Sequence, residues 1–316
     1  MQENFFKNKR ITVTGGKGFL GSFVCDALKR AGASQISAPS SQDVDLVDSN
    51  ATEAFLNREK PDLIFHLAAR VGGIGANQKN PGKYFYENMQ MGMNVFEAAR
   101  KYGVQKTVFV GTICSYPKFA PIPFKEADLW NGYPEETNAP YGVAKKALMT
   151  MASAYKQQYG TTIISLMPVN LYGPRDNFDL ESSHVIPAMI RKCIDAVGSG
   201  ADEVVLWGDG SPTREFLYVE DCVEGLLRAA ALYDSPDPVN LGAGFEIKMK
   251  DLVELIADLT GFKGKLHWDS SRPNGQPRRM LDTTKAHELF DFKAQTSLKE
   301  GLRKTITWYQ DNKKAL

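Results

Sequence analysis

Residues 10–21 read Arg-Ile-Thr-Val-Thr-Gly-Gly-Lys-Gly-Phe-Leu-Gly. The first five form a short β-rich run, and residues 18–31 carry the apolar spacing of a helix. Between them stands Gly15-x-x-Gly18-x-x-Gly21, with Gly16, Lys17, Phe19 and Leu20 completing the loop. In a strand–turn–helix, Gly15 permits the tight turn and Gly18 lets a pyrophosphate approach the backbone. Gly21 lets the helix pack closely on the strand. The N–H groups and dipole of that helix terminus then face an anion. The expectation is a bound dinucleotide; a turn serving packing alone is the plainer alternative.

Outward from this turn, strands and helices alternate. Residues 35–38 are a weaker strand candidate, 52–58 look helical, and 63–67 (Leu-Ile-Phe-His-Leu) are a continuous apolar run. Residues 84–102 are helical and 107–111 (Thr-Val-Phe-Val-Gly) form another buried run. A helix over 139–159 has apolar residues at 144, 147, 148, 151, 154 and 155, and a strand follows over 162–167. This order predicts right-handed βαβ units: an α/β, Rossmann-type doubly wound parallel sheet covered on both faces. After Gly173 the pattern loosens, which predicts a smaller C-terminal α/β substrate-binding lobe, with residues 238–241 rejoining the sheet. The expected dinucleotide-binding domain is 1–172 plus about 215–245, and the lobe 173–214 plus 246–316.

With 316 residues, 43% hydrophobic and 24% charged, the chain can bury a large core without disulfides or structural metal. Lys plus Arg (38) nearly balance Asp plus Glu (37), so no field favours nucleic acid as the main partner. No apolar run approaches the ~18 residues a membrane span needs, and the N-terminus shows no apolar signal core. Cys25, Cys114, Cys193 and Cys222 lie far apart, as free thiols in a reducing compartment would, with no metal site. A soluble, cytoplasmic protein with no membrane partner is expected.

An NAD site usually places a carboxylate roughly twenty residues beyond the turn, on the ribose 2′-hydroxyl. Residues 36–41 (Ile-Ser-Ala-Pro-Ser-Ser) hold none. The hydroxyls of Ser40 and Ser41, with Lys17, suit a 2′-phosphate, so NADP (as NADPH) is the expected cofactor. Asp43 and Asp45 read as adenine-side contacts or as caps of the next segment. Tyr141 and Lys145 stand four apart, on one helix face. A nearby ammonium is expected to lower the phenol's pKa from about 10 and to hold a nicotinamide ribose. Thr112 ends a strand at the carboxyl edge, where its hydroxyl and Tyr141 could both bond a substrate carbonyl.

This set resembles the extended short-chain dehydrogenase/reductase family, which acts mostly on nucleotide sugars. His66-Leu67-Ala68-Ala69, Tyr86-Glu87-Asn88 and residues 214–221 (Arg-Glu-Phe-Leu-Tyr-Val-Glu-Asp) extend the likeness. Residues 71–74 (Val-Gly-Gly-Ile), 114–117 (Cys-Ser-Tyr-Pro), 170–178 (Asn-Leu-Tyr-Gly-Pro-Arg-Asp-Asn-Phe) and 183–187 (Ser-His-Val-Ile-Pro) narrow it. They are similar to the members that epimerise GDP-4-keto-6-deoxy-mannose at carbons 3 and 5 and then reduce carbon 4.

The resemblance implies Thr112, Tyr141 and Lys145 as the catalytic triad, and Cys114 with His184 as the pair that moves ring protons. It implies coenzyme contacts along Gly15 to Gly21, at Ser40, Ser41, Asp45 and Leu46, and at Leu67, Ala68 and Ala69. Val110, Gly111, Lys145, Pro168, Val169, Asn170, Leu171 and His184 complete that set. It implies Asn170, Lys192, Trp207, Arg214 and Arg279 as GDP-sugar contacts, and a homodimer built on the 84–102 and 139–159 helices.

The residue types suit that chemistry. A 4-keto group acidifies the neighbouring C–H bonds, and a thiol near about 8.5 with an imidazole near about 6.5 can exchange those protons at neutral pH. The plainer readings are a buried small hydrophobe for Cys114, a helix-start polar residue for His184, solvated cations for Arg214, Arg278 and Arg279, and a core filler for Trp207. His66 reads as structural, and Met89, Met91 and Met93 as helix packing. Rival functions are a reductase/epimerase on a related GDP-4-keto sugar such as a 6-deoxy-heptose, an NAD-dependent nucleotide-sugar 4-epimerase, and a silent dinucleotide-binding module. A dehydratase would carry acidic residues after Thr112, where Ile113 and Cys114 stand.

Overall fold

A computed structural model describes residues 4–72, 74–271, 274 and 276–314; Gly73, within the 71–74 stretch, lies outside them. Among the described residues the strands are β1 (Arg10–Thr14), β2 (Gln35–Ser37), β3 (Leu63–His66), β4 (Lys106–Val110), β5 (Ile163–Pro168), β6 (Asn170–Tyr172), β7 (Glu203–Trp207), β8 (Thr213–Arg214), β9 (Phe216–Tyr218), β10 (Val239–Leu241), β11 (Ile247–Lys248) and β12 (Lys265–Asp269). The helices are α1 (Phe19–Arg30), α2 (Ser49–Glu59), α3 (Ile74–Lys79), α4 (Pro81–Lys101), α5 (Ala139–Tyr159), α6 (Val185–Ser199), α7 (Val219–Leu232), α8 (Met249–Thr260), α9 (Thr284–Phe290) and α10 (Leu298–Asn312).

Six strands form one parallel sheet in the order β10-β5-β4-β3-β1-β2. The chain steps one way from β1 to β2, then the other way through β3, β4 and β5. Right-handed crossovers therefore put α1 on one face and α2, α4 and α5 on the other. The packing agrees: α4 lies against α2 and α5, while α1 lies beside α7. Burial on both faces explains why β3 and β5 are buried at every position and read as unbroken apolar runs.

The elements expected from periodicity are present, with shifted ends. Helix α2 starts three residues early because Asp48 caps it, accepting from the N–H groups of Asn50 and Ala51. Helix α4 starts at Pro81, a residue suited to the first helical turn. Residues 239–241 rejoin the sheet beside β5, as expected. The looser second half resolves into short pairs: β6 with β9, β7 with β12, and β8 with β11. One hydrophobic core joins both regions, from Ile11 and Phe109 to Ile190, Leu206 and Ile256. No helix among the described residues is long and apolar enough to cross a membrane.

Candidate active site

The glycine turn closes with hydrogen bonds from Gly16 N–H to Val13 C=O (3.1 Å) and from Gly18 N–H to Gly15 C=O (3.0 Å). Gly15 has φ +73°, and a Cβ on Gly21 would lie 2.1 Å from the Gly15 oxygen. The turn and the close helix approach thus both require glycine. The first turn of α1 has neither a side-chain cap nor an acidic residue, the disposition that accepts a phosphate. The turn packs on the end of β3, where Leu67 N–H bonds Thr14 C=O at 3.1 Å and Ala68 N–H bonds Thr14 Oγ1 at 3.3 Å. His66 is buried on that same hydroxyl at 2.8 Å, its pKa brought down to about 3 by burial and by Lys145. It is structural, as expected.

Asp43 and Asp45, the adenine-side contacts or caps of the sequence reading, both bond within their own turns. Asp43 folds back over a turn (its N–H to Ser40 C=O, 3.1 Å). Its Oδ2 accepts from Ser40 Oγ (2.7 Å), Ser40 N–H (2.8 Å) and Lys17 Nζ (3.1 Å). These donors hold its carboxyl well below the usual range. Lys17 and Ser40 thus form an anion-binding set, which fits the 2′-phosphate of NADP, and Asp43 competes for it. Asp45 caps its own turn, accepting from Val47 N–H at 3.0 Å, and Leu46 is buried in the core. Removing the competing charge in Asp43→Asn should raise the NADPH-over-NADH affinity ratio about three- to tenfold in coenzyme titrations. An unchanged ratio would show that Asp43 leaves on binding without consequence.

Thr112 follows β4 and caps a single 3-10 turn (Ile113–Ser115), its Oγ1 accepting from Cys114 N–H at 3.2 Å. Helix α5 packs directly on this turn. Ser115 Oγ donates to Gly142 C=O at 2.9 Å, and a Cβ on Gly142 would sit 2.2 Å from the Cys114 oxygen. The glycine next to Tyr141 is what lets the helix come this close. Tyr141 is buried, and its phenol is pushed above its ordinary value by burial and by the charge of Cys114. The expected lowering by Lys145 does not occur. Lys145 is itself buried, donates from Nζ to Val110 C=O at 2.9 Å, and has its pKa brought down to about 7. A desolvated ammonium loses its proton readily, so it lends the phenol little charge.

Lys145 carries a stability consequence. Between the folded pKa near 7 and the unfolded value near 10.5, the unfolded chain binds one proton more, so this group's contribution rises with pH across that window. Below pH 7 its full penalty stands. Lys145→Met should therefore stabilise the coenzyme-free protein by about 1–3 kcal/mol at pH 7, after the lost Val110 hydrogen bond. Thermal denaturation should show that gain fading toward pH 10; a gain independent of pH would contradict the assignment.

Pro168, Val169 and Leu171 continue β5 into β6, with Val169 N–H bonded to Leu241 C=O at 3.0 Å. Asn170 Nδ2 donates to Glu215 C=O at 3.3 Å. His184 is the N-cap residue of α6; it is solvent-accessible yet surrounded by protein on most sides, which lowers its pKa. Lys192 Nζ donates to Val205 C=O at 3.0 Å, which places Lys192 beside the β7 strand that carries exposed Trp207. Arg214 and Arg279 lie close enough to repel, and Arg279 Nη1 reaches Cys114 Sγ at 3.9 Å. Arg278 instead pairs with Glu246 at the surface. The described hydrogen bonds do not join His184 to Cys114 or Tyr141.

One residue escaped local reading. Glu215 is buried and accepts from the N–H groups of Ala243 (2.7 Å), Gly244 (2.8 Å) and Leu281 (2.7 Å). It braces the segments that carry Arg214 and Arg279. Its position after Arg214 was visible, but nothing nearby in sequence signals three distant backbone partners.

The family model for the NAD dependent epimerase/dehydratase family matches residues 11–242. The chain belongs to this family. A protein of Oryza sativa subsp. japonica, "Probable GDP-L-fucose synthase 1", is 43% identical over 97% of this chain and 93% of its own. Among epimerase/dehydratase-like structures, a GDP-L-fucose synthetase from Naegleria fowleri bound to NADP superposes with TM-score 0.89 at 28% identity, over 98% of this chain and 96% of that one. A GDP-6-OMe-4-keto-L-xylo-heptose reductase from Campylobacter jejuni superposes with TM-score 0.92 at 28% identity, over 96% and 98%.

Proposed function

We propose that this chain uses NADPH to epimerise GDP-4-keto-6-deoxy-D-mannose at carbons 3 and 5 and to reduce carbon 4, giving GDP-L-fucose. The observation that carries this is the seating of α5 on the Cys114 turn through Gly142, beside Tyr141. A general dehydrogenase has no need of a thiol there. Thr112 accepts from a backbone N–H, which leaves its hydroxyl proton for the ketone oxygen. Tyr141, a phenol protonated at neutral pH and made still less acidic by burial, is the second donor to that oxygen. Cys114 takes a ring proton, the electron pair moves onto the ketone oxygen, and His184 is the acid that returns a proton from the other face. When bound, the reduced coenzyme supplies the hydride for carbon 4; Tyr141 then gives its proton to the oxygen. Lys145 holds the ribose.

At the start of α4, Phe85 and Tyr86 are exposed, which supports a homodimer through that helix. Free thiols at Cys25, Cys114, Cys193 and Cys222 suit the cytoplasm. The direct test mixes the protein with GDP-4-keto-6-deoxy-mannose and NADPH and follows nicotinamide absorbance. Coenzyme oxidation with a GDP-L-fucose product supports the proposal, and binding without turnover refutes it. The superposition on the heptose reductase favours one second reading, a related GDP-4-keto-heptose. Faster turnover of that sugar would install it.

A further inference from the structure

Arg279 and Cys114 are 165 positions apart in sequence, yet Arg279 Nη1 donates to Cys114 Sγ at 3.9 Å. The guanidinium is aimed by Gln276, whose Oε1 accepts from Nε at 2.7 Å. None of its partners among the described residues is a carboxylate, in contrast to Arg278, which Glu246 neutralises. A second cation, Arg214, loses basicity first to its own burial and then to the charge of Arg279. Among the described residues, Arg279 touches the sulfur, Tyr141 from α5 feels its charge, and Arg214 stands behind Arg279.

The other thiols make a useful contrast. Cys25, Cys193 and Cys222 are buried, and burial raises each of them. Cys114 is part-exposed and is the described cysteine that meets a guanidinium at its sulfur. An ordinary thiol is mostly protonated at neutral pH and is a poor base in that form. A guanidinium within hydrogen-bond reach favours the anion.

We infer that Arg279 is a catalytic residue of the proton-exchange half-reaction: its guanidinium holds the Cys114 sulfur as the thiolate, so the base is present before the sugar arrives. This rests on the reading of Cys114 as the ring-proton base and gives Arg279 a task besides contacting the GDP-sugar. Its planar fork is fixed at one nitrogen by Gln276 and presents another to the sulfur, an arrangement an ammonium reproduces only in part.

The test reads the sulfur without any sugar. The rate of iodoacetamide alkylation at Cys114, located by peptide mass spectrometry, is measured against pH for the unsubstituted protein, Arg279→Gln and Arg279→Lys. In Arg279→Gln the midpoint should rise by about one pH unit, with about a tenfold slower rate at pH 7, and Arg279→Lys should lie between. Coenzyme titration checks that each variant is folded; should the glutamine variant fail this, the lysine variant alone must show the shift. An unchanged profile in a folded variant overturns the inference, even if KM for the GDP-sugar rises. Failure of the wider functional reading looks different: no sugar turnover by the unmodified protein, with the alkylation shift intact.

Discussion

Tyr141→Phe should lower NADPH-dependent reduction by about two to four orders of magnitude, the usual range for losing a positioned general acid. Reduction at carbon 4 leaves an alkoxide that must be protonated in place. Tyr141 is buried at the start of α5, and its phenol, already protonated at neutral pH, is pushed further up by burial. Thr112 can stabilise the oxygen but, as an ordinary alcohol, is a far weaker acid. With the coenzyme held, as proposed, through the glycine turn and Lys145, NADPH affinity should change little. Steady-state oxidation of NADPH measures the first effect and fluorescence titration the second. Retained turnover would remove Tyr141 from the reaction.

The second large effect concerns the ring protons. Cys114→Ala should slow solvent deuterium entry at carbons 3 and 5 by about two to four orders of magnitude, while hydride delivery to carbon 4 continues. The product should then be a GDP-sugar reduced at carbon 4 and unchanged at its neighbours. The Cys114 turn is clamped to α5 by the Ser115–Gly142 hydrogen bond and by contact at Gly142, so an alanine alters the sulfur and not the frame. Deuterium entry at the normal rate would transfer the role of base to another group.

Much of the frame was legible because its signals are local. A positive φ at Gly15 and a helix that touches the turn at Gly21 leave no alternative residue, so that pattern speaks from sequence alone. Buried parallel strands such as Leu63–His66 announce themselves as apolar runs. The site's electrostatics were less legible because they depend on folding distant segments together. Asp43 meets Lys17 only because the chain reverses at Ser40. Lys145 was read as a charge near a phenol, but burial, which one sequence does not report, weakens that charge. Arg279 beside Cys114 depends on a contact across 165 positions. Pairs as short as Thr213–Arg214 with Ile247–Lys248 carry too few residues for periodicity to show.

The central claim is that one carbonyl-binding site serves both proton exchange and reduction. Running the reaction in D2O with unlabelled NADPH and locating deuterium in the isolated GDP-sugar by NMR tests it most directly. Deuterium at carbons 3 and 5 with protium at carbon 4 is the predicted result; a reduced product carrying protium at all three carbons would contradict it.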